Sequence, residues 1–260
     1  MPRLKLTVAY EGTRYAGWQL QAAPGKTGPP TVQGELERCI ASLAGSRIPV
    51  HGAGRTDAGV HAEGQVCHLD VPEKSNRIDW KKALNVQLPA DIRVLESMWV
   101  GPDFHSRKDA LAKRYVYSLW SHRDRAVPRI QAFVWSCPEL NLERIQKVFP
   151  LLTGKKDFAS FRNSGGNDGN SVRTLFSVHS RSGVLASLAC PPEWPVCSFV
   201  FEGDGFLKQM VRNLMGLLVW VGQGKIVPDA IPAIIEARDR RALPSPSAPA
   251  SGLTLYEVRY

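Results

Sequence analysis

Apolar and polar residues alternate from Leu4 to Tyr10 (Leu-Lys-Leu-Thr-Val-Ala-Tyr), the two-residue period of a strand with one buried face. The period lengthens between Thr31 and Ala44, where Val32, Leu36, Ile40 and Leu43 recur at helical spacing. A short strand Arg47–His51, a strand Gln65–Asp70, a helix from Trp80 to Val86 and a strand Ile92–Val100 are expected next. Alternation returns from Ala112 to Trp120, with Tyr115, Tyr117 and Leu119 on one face. A helix Asn141–Leu152 stopped at Gly154, strands Val172–Ser180 and Val196–Phe201, and an apolar helix Phe206–Val221 are expected after it. A shorter helix Asp229–Ala237 and a strand Leu253–Tyr260 close the chain. Strands interrupt helices without a regular βαβ rhythm, so the pattern predicts an α+β fold with a mostly antiparallel mixed sheet flanked by helices. The order strand–helix–strand–loop–strand–helix–strand occurs twice, which predicts two related halves, 1–105 and 106–260.

One stretch fits neither period. His51-Gly-Ala-Gly-Arg-Thr-Asp-Ala-Gly-Val-His61 holds three glycines, Gly52, Gly54 and Gly59, which permit tight turns and close backbone approach. Between them stand a cation, a hydroxyl and a carboxylate, Arg55, Thr56 and Asp57, so the loop concentrates chemistry between two strands. A glycine-rich hairpin in which Asp57 merely caps a turn is the plainer alternative.

The 43% hydrophobic content and ordinary charge density fit a globular chain with an ample core. No run of 18 apolar residues is present, and the N-terminus enters a strand at once, with no secretory leader pattern, so neither a membrane span nor export is expected. Five scattered cysteines read as the reduced thiols of a cytoplasmic protein. A net charge of +9 suggests a polyanionic partner, and cations beside aromatics at Arg14-Tyr15, Arg107-Lys108 and Lys113-Arg114-Tyr115 suit phosphate contacts next to base stacking. Gly25-Lys26-Thr27 is not a phosphate loop, because Leu20 stands where the first glycine belongs.

The helix expected over 206–221 is apolar on nearly every side, yet carries Arg212 at its middle. A buried guanidinium needs a carboxylate, for which Asp57 is the leading partner; the alternative is that Arg212 snorkels to water beside Lys208. Pairing would hold Asp57 ionised and oriented, as a carboxylate nucleophile requires.

Gly54-Arg-Thr-Asp-Ala-Gly-Val-His61, Phe104-His-Ser-Arg107, Lys113-Arg-Tyr-Val-Tyr117 and Met210-Val-Arg-Asn213 together resemble the tRNA pseudouridine synthase A family. Tyr10 through Gln19, Leu88 through Ile92, Asp157 through Phe161 and Gly252 through Tyr256 follow its pattern in order, so the resemblance spans nearly the whole chain. It implies a cofactor-free isomerase, without a metal, that converts uridine to pseudouridine at positions 38, 39 and 40 of the tRNA anticodon stem-loop. It implies a homodimer with one tRNA touching both subunits, and a pseudouridine synthase fold with a central cleft. Residue by residue, it makes Asp57 the nucleophile, attacking C1′ or C6, Tyr115 the group stacked on the target base, and Arg212 the partner of the aspartate. Arg55 would enter the stack as the base flips out, and Thr56, His61, Arg14, Arg107 and Arg114 are the further candidates for substrate binding.

Two stretches depart from the family pattern: 22–30 is longer than usual, and Cys190-Pro-Pro-Glu-Trp-Pro-Val-Cys197 looks inserted. The loop 163–170 falls where the family varies. Two other classes stand against the isomerase. One is a catalytically silent tRNA-binding module, which would need no buried aspartate; the other is a metallohydrolase using Asp57 with His51, His61 or His68, which lack a ligand spacing.

Overall fold

The computed structural model describes residues 1–21, 28–165 and 169–260. Gly25–Thr27 and most of the expected 22–30 loop lie outside the described residues, as do 166–168 of the 163–170 loop. The chain divides into two compact units, Met1–Leu111 with Leu255–Tyr260, and Ala112–Thr254.

The first unit is a mostly antiparallel sheet backed by two helices. Its strands are β1 (Arg3–Tyr10), β2 (His51–Gly52), β3 (His61–Asp70) and β4 (Ile92–Val100), and its helices α1 (Val32–Ala44) and α2 (Trp80–Gln87). β1 lies between β4 and β3, antiparallel to both, and the short β2 pairs with the far end of β3. The alternation seen in the sequence is the pleat itself: Leu4, Leu6, Val8 and Tyr10 point to the core. The apolar stripe of α1 is likewise turned inward, with Val32, Leu36, Cys39 and Ile40 fully buried. Thr31 caps that helix from outside it, its hydroxyl accepting from the Gly34 N–H, and Gly45 ends it at φ 74°. The expected strand Arg47–His51 shrinks to His51–Gly52. Pro49 explains part of this, since it has no N–H for a ladder.

In the second unit the largely buried β5 (Ala112–Ser121) has β6 (Trp135–Cys137) parallel to it on one side. On the other side β11 (Val196–Gly203) is antiparallel, followed by β8 (Val172–Ser182) and β7 (Gly154–Asp157). A two-stranded hairpin, β9 (Val184–Leu185) and β10 (Leu188–Ala189), closes over a small satellite core of Trp120, Ala126, Ile130, Val134 and Val196. The single helix expected over 141–152 is two short ones, α3 (Leu142–Gln146) and α4 (Phe149–Leu152). Pro150 cannot donate to Gln146 and its ring crowds that carbonyl, which breaks the helix there. The apolar helix α5 runs Met210–Gly222 rather than from Phe206, because Gln209 sits at φ 60°, outside the right-handed helix. After α6 (Ile231–Glu236) the chain ends in β12 (Leu253–Arg259), whose residues from Leu255 onward belong to the first unit, beside β3. Among the described residues no helix is long and apolar enough to cross a membrane.

Candidate active site

The glycine loop of the first unit is zipped to the aromatic loop that follows β1. Trp18 N–H donates to the Thr56 carbonyl at 3.1 Å, and Gly59 N–H donates to the Tyr15 carbonyl at 3.3 Å. The approach is too close for side chains: a Cβ at Gly12 would stand 2.0 Å from the Val60 carbonyl oxygen, and one at Gly17 2.4 Å from that of Thr56. Gly17 also lies at φ 97°, where only glycine is unstrained. Asp57 and Val60 bracket a turn, Val60 N–H donating to the Asp57 carbonyl, with Gly59 at φ 79° completing it.

The loop is also held from beneath. Ala53 N–H donates to the Val66 carbonyl at 2.7 Å, and the buried Gln65 side chain donates Nε2–H to the Gly54 carbonyl at 2.9 Å. The Thr56 hydroxyl turns inward, only 7% of the residue being exposed, and lies 2.8 Å from the Tyr10 hydroxyl. Burial pushes the Tyr10 phenol far above its ordinary pKa, so it stays a neutral hydrogen-bonding group. Asp57 is therefore half-buried on a turn whose neighbours on both sides are fixed, while Arg55 is exposed beside it.

His61, 2% exposed, accepts the Gly12 N–H on Nδ1 at 3.0 Å, which places its proton on Nε2. The same Nδ1 lies 3.7 Å from the Glu11 carboxylate, and its bond to the Gly12 N–H ties the two loops together. Tyr15 donates to Asp91 at 2.5 Å, and burial together with that carboxylate raises the phenol's pKa. Arg14, exposed, reaches the other oxygen of Asp91 at 3.5 Å. Arg107 is exposed on the turn after Phe104, where its N–H and that of Lys108 donate to His105 Nδ1. The same turn seats Ser106 against His68, whose ring stacks on His51 at 5.1 Å. Burial and the neighbouring His105, His51 and Arg3 lower the His68 pKa to about 4.

The second unit holds the other candidates. Tyr115, 7% exposed on β5, meets Phe206 edge-on at 5.0 Å between ring centroids, so an aromatic face is already framed by a perpendicular ring. Its neighbour Arg114 is paired with Glu202 directly across on β11, Nε and Nη2 donating to one oxygen at 3.1 and 3.0 Å. Arg212, half-buried on α5, donates Nε–H to the Ala248 carbonyl at 2.7 Å, so it is not simply a surface lysine-like arm. Tyr117, fully buried beneath, donates to the Pro249 carbonyl, and burial raises its pKa against the opposing pull of Arg212.

The nine candidates thus divide between the units: Asp57, Arg55, Thr56, His61, Arg14 and Arg107 in the first, Tyr115, Arg114 and Arg212 in the second. Tyr10 and Gln65, which hold the loop, are not singled out by residue type; the signal for Tyr10 is its position at the end of the first strand, five residues before Tyr15. Among the described residues no group of three or more His, Cys, Asp or Glu is placed to hold a metal ion.

A family model described as tRNA pseudouridine synthase matches residues 6–107 and 149–260. A protein of Oleidesulfovibrio alaskensis named tRNA pseudouridine synthase A is 47% identical over all of this chain and 97% of its own length. One of Lawsonia intracellularis bearing the same name is 48% identical over the full length of both chains. One of Geobacillus kaustophilus is 40% identical, covering 99% of this chain and 94% of its own.

Proposed function

We propose that this chain, which belongs to the tRNA pseudouridine synthase family, isomerises uridine to pseudouridine in the anticodon stem-loop of tRNA, with Asp57 as the nucleophile. The observation that carries the reading is the mounting of Asp57: a carboxylate on a tight turn, clamped by Trp18 and Tyr15 from one loop and by Gln65 and Tyr10 from β3 and β1. A nucleophile fixed in advance avoids much of the entropic cost of reaching its target.

The carboxylate of Asp57 attacks the nucleoside, at C1′ or at C6, and the N1–C1′ bond breaks. The uracil turns in place and C5 bonds to C1′. C5 then gives up its proton, N1 gains one, and Asp57 is released. Atoms balance, nothing is oxidised or reduced, and no cofactor is needed. In this reading Arg212 is the cation that keeps Asp57 ionised, since a positive charge favours the charged carboxylate. Tyr115 stacks on the base, and its edge-on contact with Phe206 keeps the ring upright. Arg55, exposed next to Asp57, fills the stack vacated by the flipped nucleotide. Arg14 and Arg107 are exposed and suit phosphate contacts. The inward-facing Thr56 and His61 serve by holding the loop, and Arg114 by its pair with Glu202. The same reading carries a homodimer acting on tRNA in the cytoplasm.

Unmodified tRNA bearing tritium at uridine C5 tests this. The protein releases tritium to water, and Asp57→Ala does not while still binding tRNA. Tight binding without release by the unaltered protein would leave a tRNA-binding module instead.

A further inference from the structure

The segment Leu243–Pro249, beyond α6, is tied to α5 through Pro246, Ser247 and Ala248, and to Arg240 and Tyr117 at its ends. The Arg240 guanidinium donates to the Leu243 carbonyl at 3.0 Å and to that of Ser245 at 3.5 Å. Gly216 lets the Pro246 carbonyl come so near that a Cβ there would stand 2.0 Å away. Ser247 donates its hydroxyl to Asn213 Oδ1. Ala248 bonds Arg212 in both directions, its N–H to the Arg212 carbonyl at 3.0 Å and its carbonyl from Arg212 Nε. Tyr117 finally holds the Pro249 carbonyl at 2.7 Å. An irregular Pro/Ser/Ala strap has no ladder of its own, so these ties decide where its carbonyls point.

Asn213 is the hub. It is fully buried, one residue beyond Arg212 on α5. Its Nδ2 donates to the Phe161 carbonyl at 2.8 Å and to Asn163 Oδ1 at 3.0 Å, while its Oδ1 accepts from Ser247 and from Arg240 at 3.4 Å. Both donors and both lone pairs of the carboxamide are used, which fixes its orientation. Arg240 Nε donates to the same Asn163 Oδ1, and Asn163 in turn bonds Gln209, the left-handed residue at which α5 begins. One network therefore sets both the start of α5 and the position of the strap.

We propose that Ser247 and Asn213 are positioning residues for the reaction: they fix the strap whose Ala248 carbonyl holds Nε of Arg212, and so aim that guanidinium. The inference rests on the reading that Arg212 serves Asp57. A guanidinium held at Nε can rotate about little but its own plane, so its Nη edge is presented in one direction. A fork of that kind matches a carboxylate only when its orientation is right. Loosening the strap leaves the charge in place but lets it swing.

Single-turnover release of tritium from C5-labelled tRNA, with binding and thermal melting measured alongside, tests the proposal on Ser247→Ala, Ser247→Thr, Arg212→Lys, Arg212→Leu and the double variant Ser247→Ala/Arg212→Lys. Ser247→Ala lowers the rate constant about 10-fold, the scale of a modest misplacement of a reacting group, with tRNA affinity within twofold and little change in melting. Ser247→Thr, which keeps the hydroxyl, restores most of the rate. In the Arg212→Lys background, which lacks the Nε donor, Ser247→Ala has no further effect. A Ser247→Ala enzyme of unchanged rate, or one that loses the same factor with Lys at 212, overturns the proposal. Full activity of Arg212→Lys and of Arg212→Leu would instead overturn the role of Arg212 itself, a separate result.

Discussion

The hydroxyls of Tyr10 and Thr56 lie 2.8 Å apart inside the first unit, joining the end of the first strand to the residue immediately before Asp57. A phenol that burial keeps neutral is used as a fixed post for a loop that has almost no side chains of its own to pack. Tyr10→Phe removes that post and leaves the Thr56 hydroxyl buried without this partner. It should cost about 1–2 kcal/mol of stability and lower the single-turnover rate roughly 5- to 20-fold through a displaced Asp57. Tritium release and chemical denaturation on the same preparation check both figures. An unchanged rate would remove Tyr10 from the positioning of Asp57.

Close backbone approach makes the second prediction. A methyl group at Gly12 has no room beside the Val60 carbonyl, and the obstacle is backbone rather than a side chain that can swing away. Gly12→Ala should destabilise the protein by about 1–3 kcal/mol, as overpacking does, and impair catalysis more than tRNA binding. Gly101→Ala is the control, since a Cβ there meets nothing within 4 Å. A Gly12→Ala protein as stable and active as the control would show that the two loops do not need this contact.

How much of this was legible beforehand follows from which forces are local. Strands such as Arg3–Tyr10 and the helix Val32–Ala44 are written in a period that burial of one face imposes, and Thr31 announces the helix start by its hydroxyl. Asp57 stood out because three glycines around a carboxylate have no use in a core. Its supports were not legible: nothing in the type of Tyr10, Gln65 or Asn213 says that its side chain reaches a loop tens of residues away, because those contacts are made by the tertiary fold. The start of α5 was missed for a similar reason. The apolar pattern runs on from Phe206, but Gln209 adopts a left-handed backbone while its side chain bonds Asn163, 46 positions earlier.

The cluster of His51, His68 and His105 carries a pH prediction. His68 is buried, and in the folded protein its pKa falls to about 4 under the influence of burial, His105, His51 and Arg3, with Asp70 opposing. The unfolded chain takes up that proton near pH 6.5. Between these values the unfolded state binds more protons, so the stabilising contribution is complete above about pH 6.5 and is lost as pH falls toward 4, by up to about 1.4 kcal/mol per pH unit. Denaturation midpoints measured from pH 7.5 to 4.5 should therefore decline, and more shallowly in His68→Gln. Identical slopes for the two proteins would assign the decline to other groups.

The most direct test concerns Asp57 alone. Asp57→Asn preserves the shape of the side chain and removes its charge and nucleophilicity, so the turn that Trp18 and Tyr15 clamp should survive. Pseudouridine formed in an unmodified tRNA is measured under single turnover, together with the dissociation constant for the same tRNA. The expected result is product from the unaltered protein, a rate at least about 1,000-fold lower from Asp57→Asn, a loss of some 4 kcal/mol of transition-state stabilisation, and affinities within a few-fold of one another. Pseudouridine formed by Asp57→Asn at close to the full rate would contradict the assignment of Asp57 as the nucleophile.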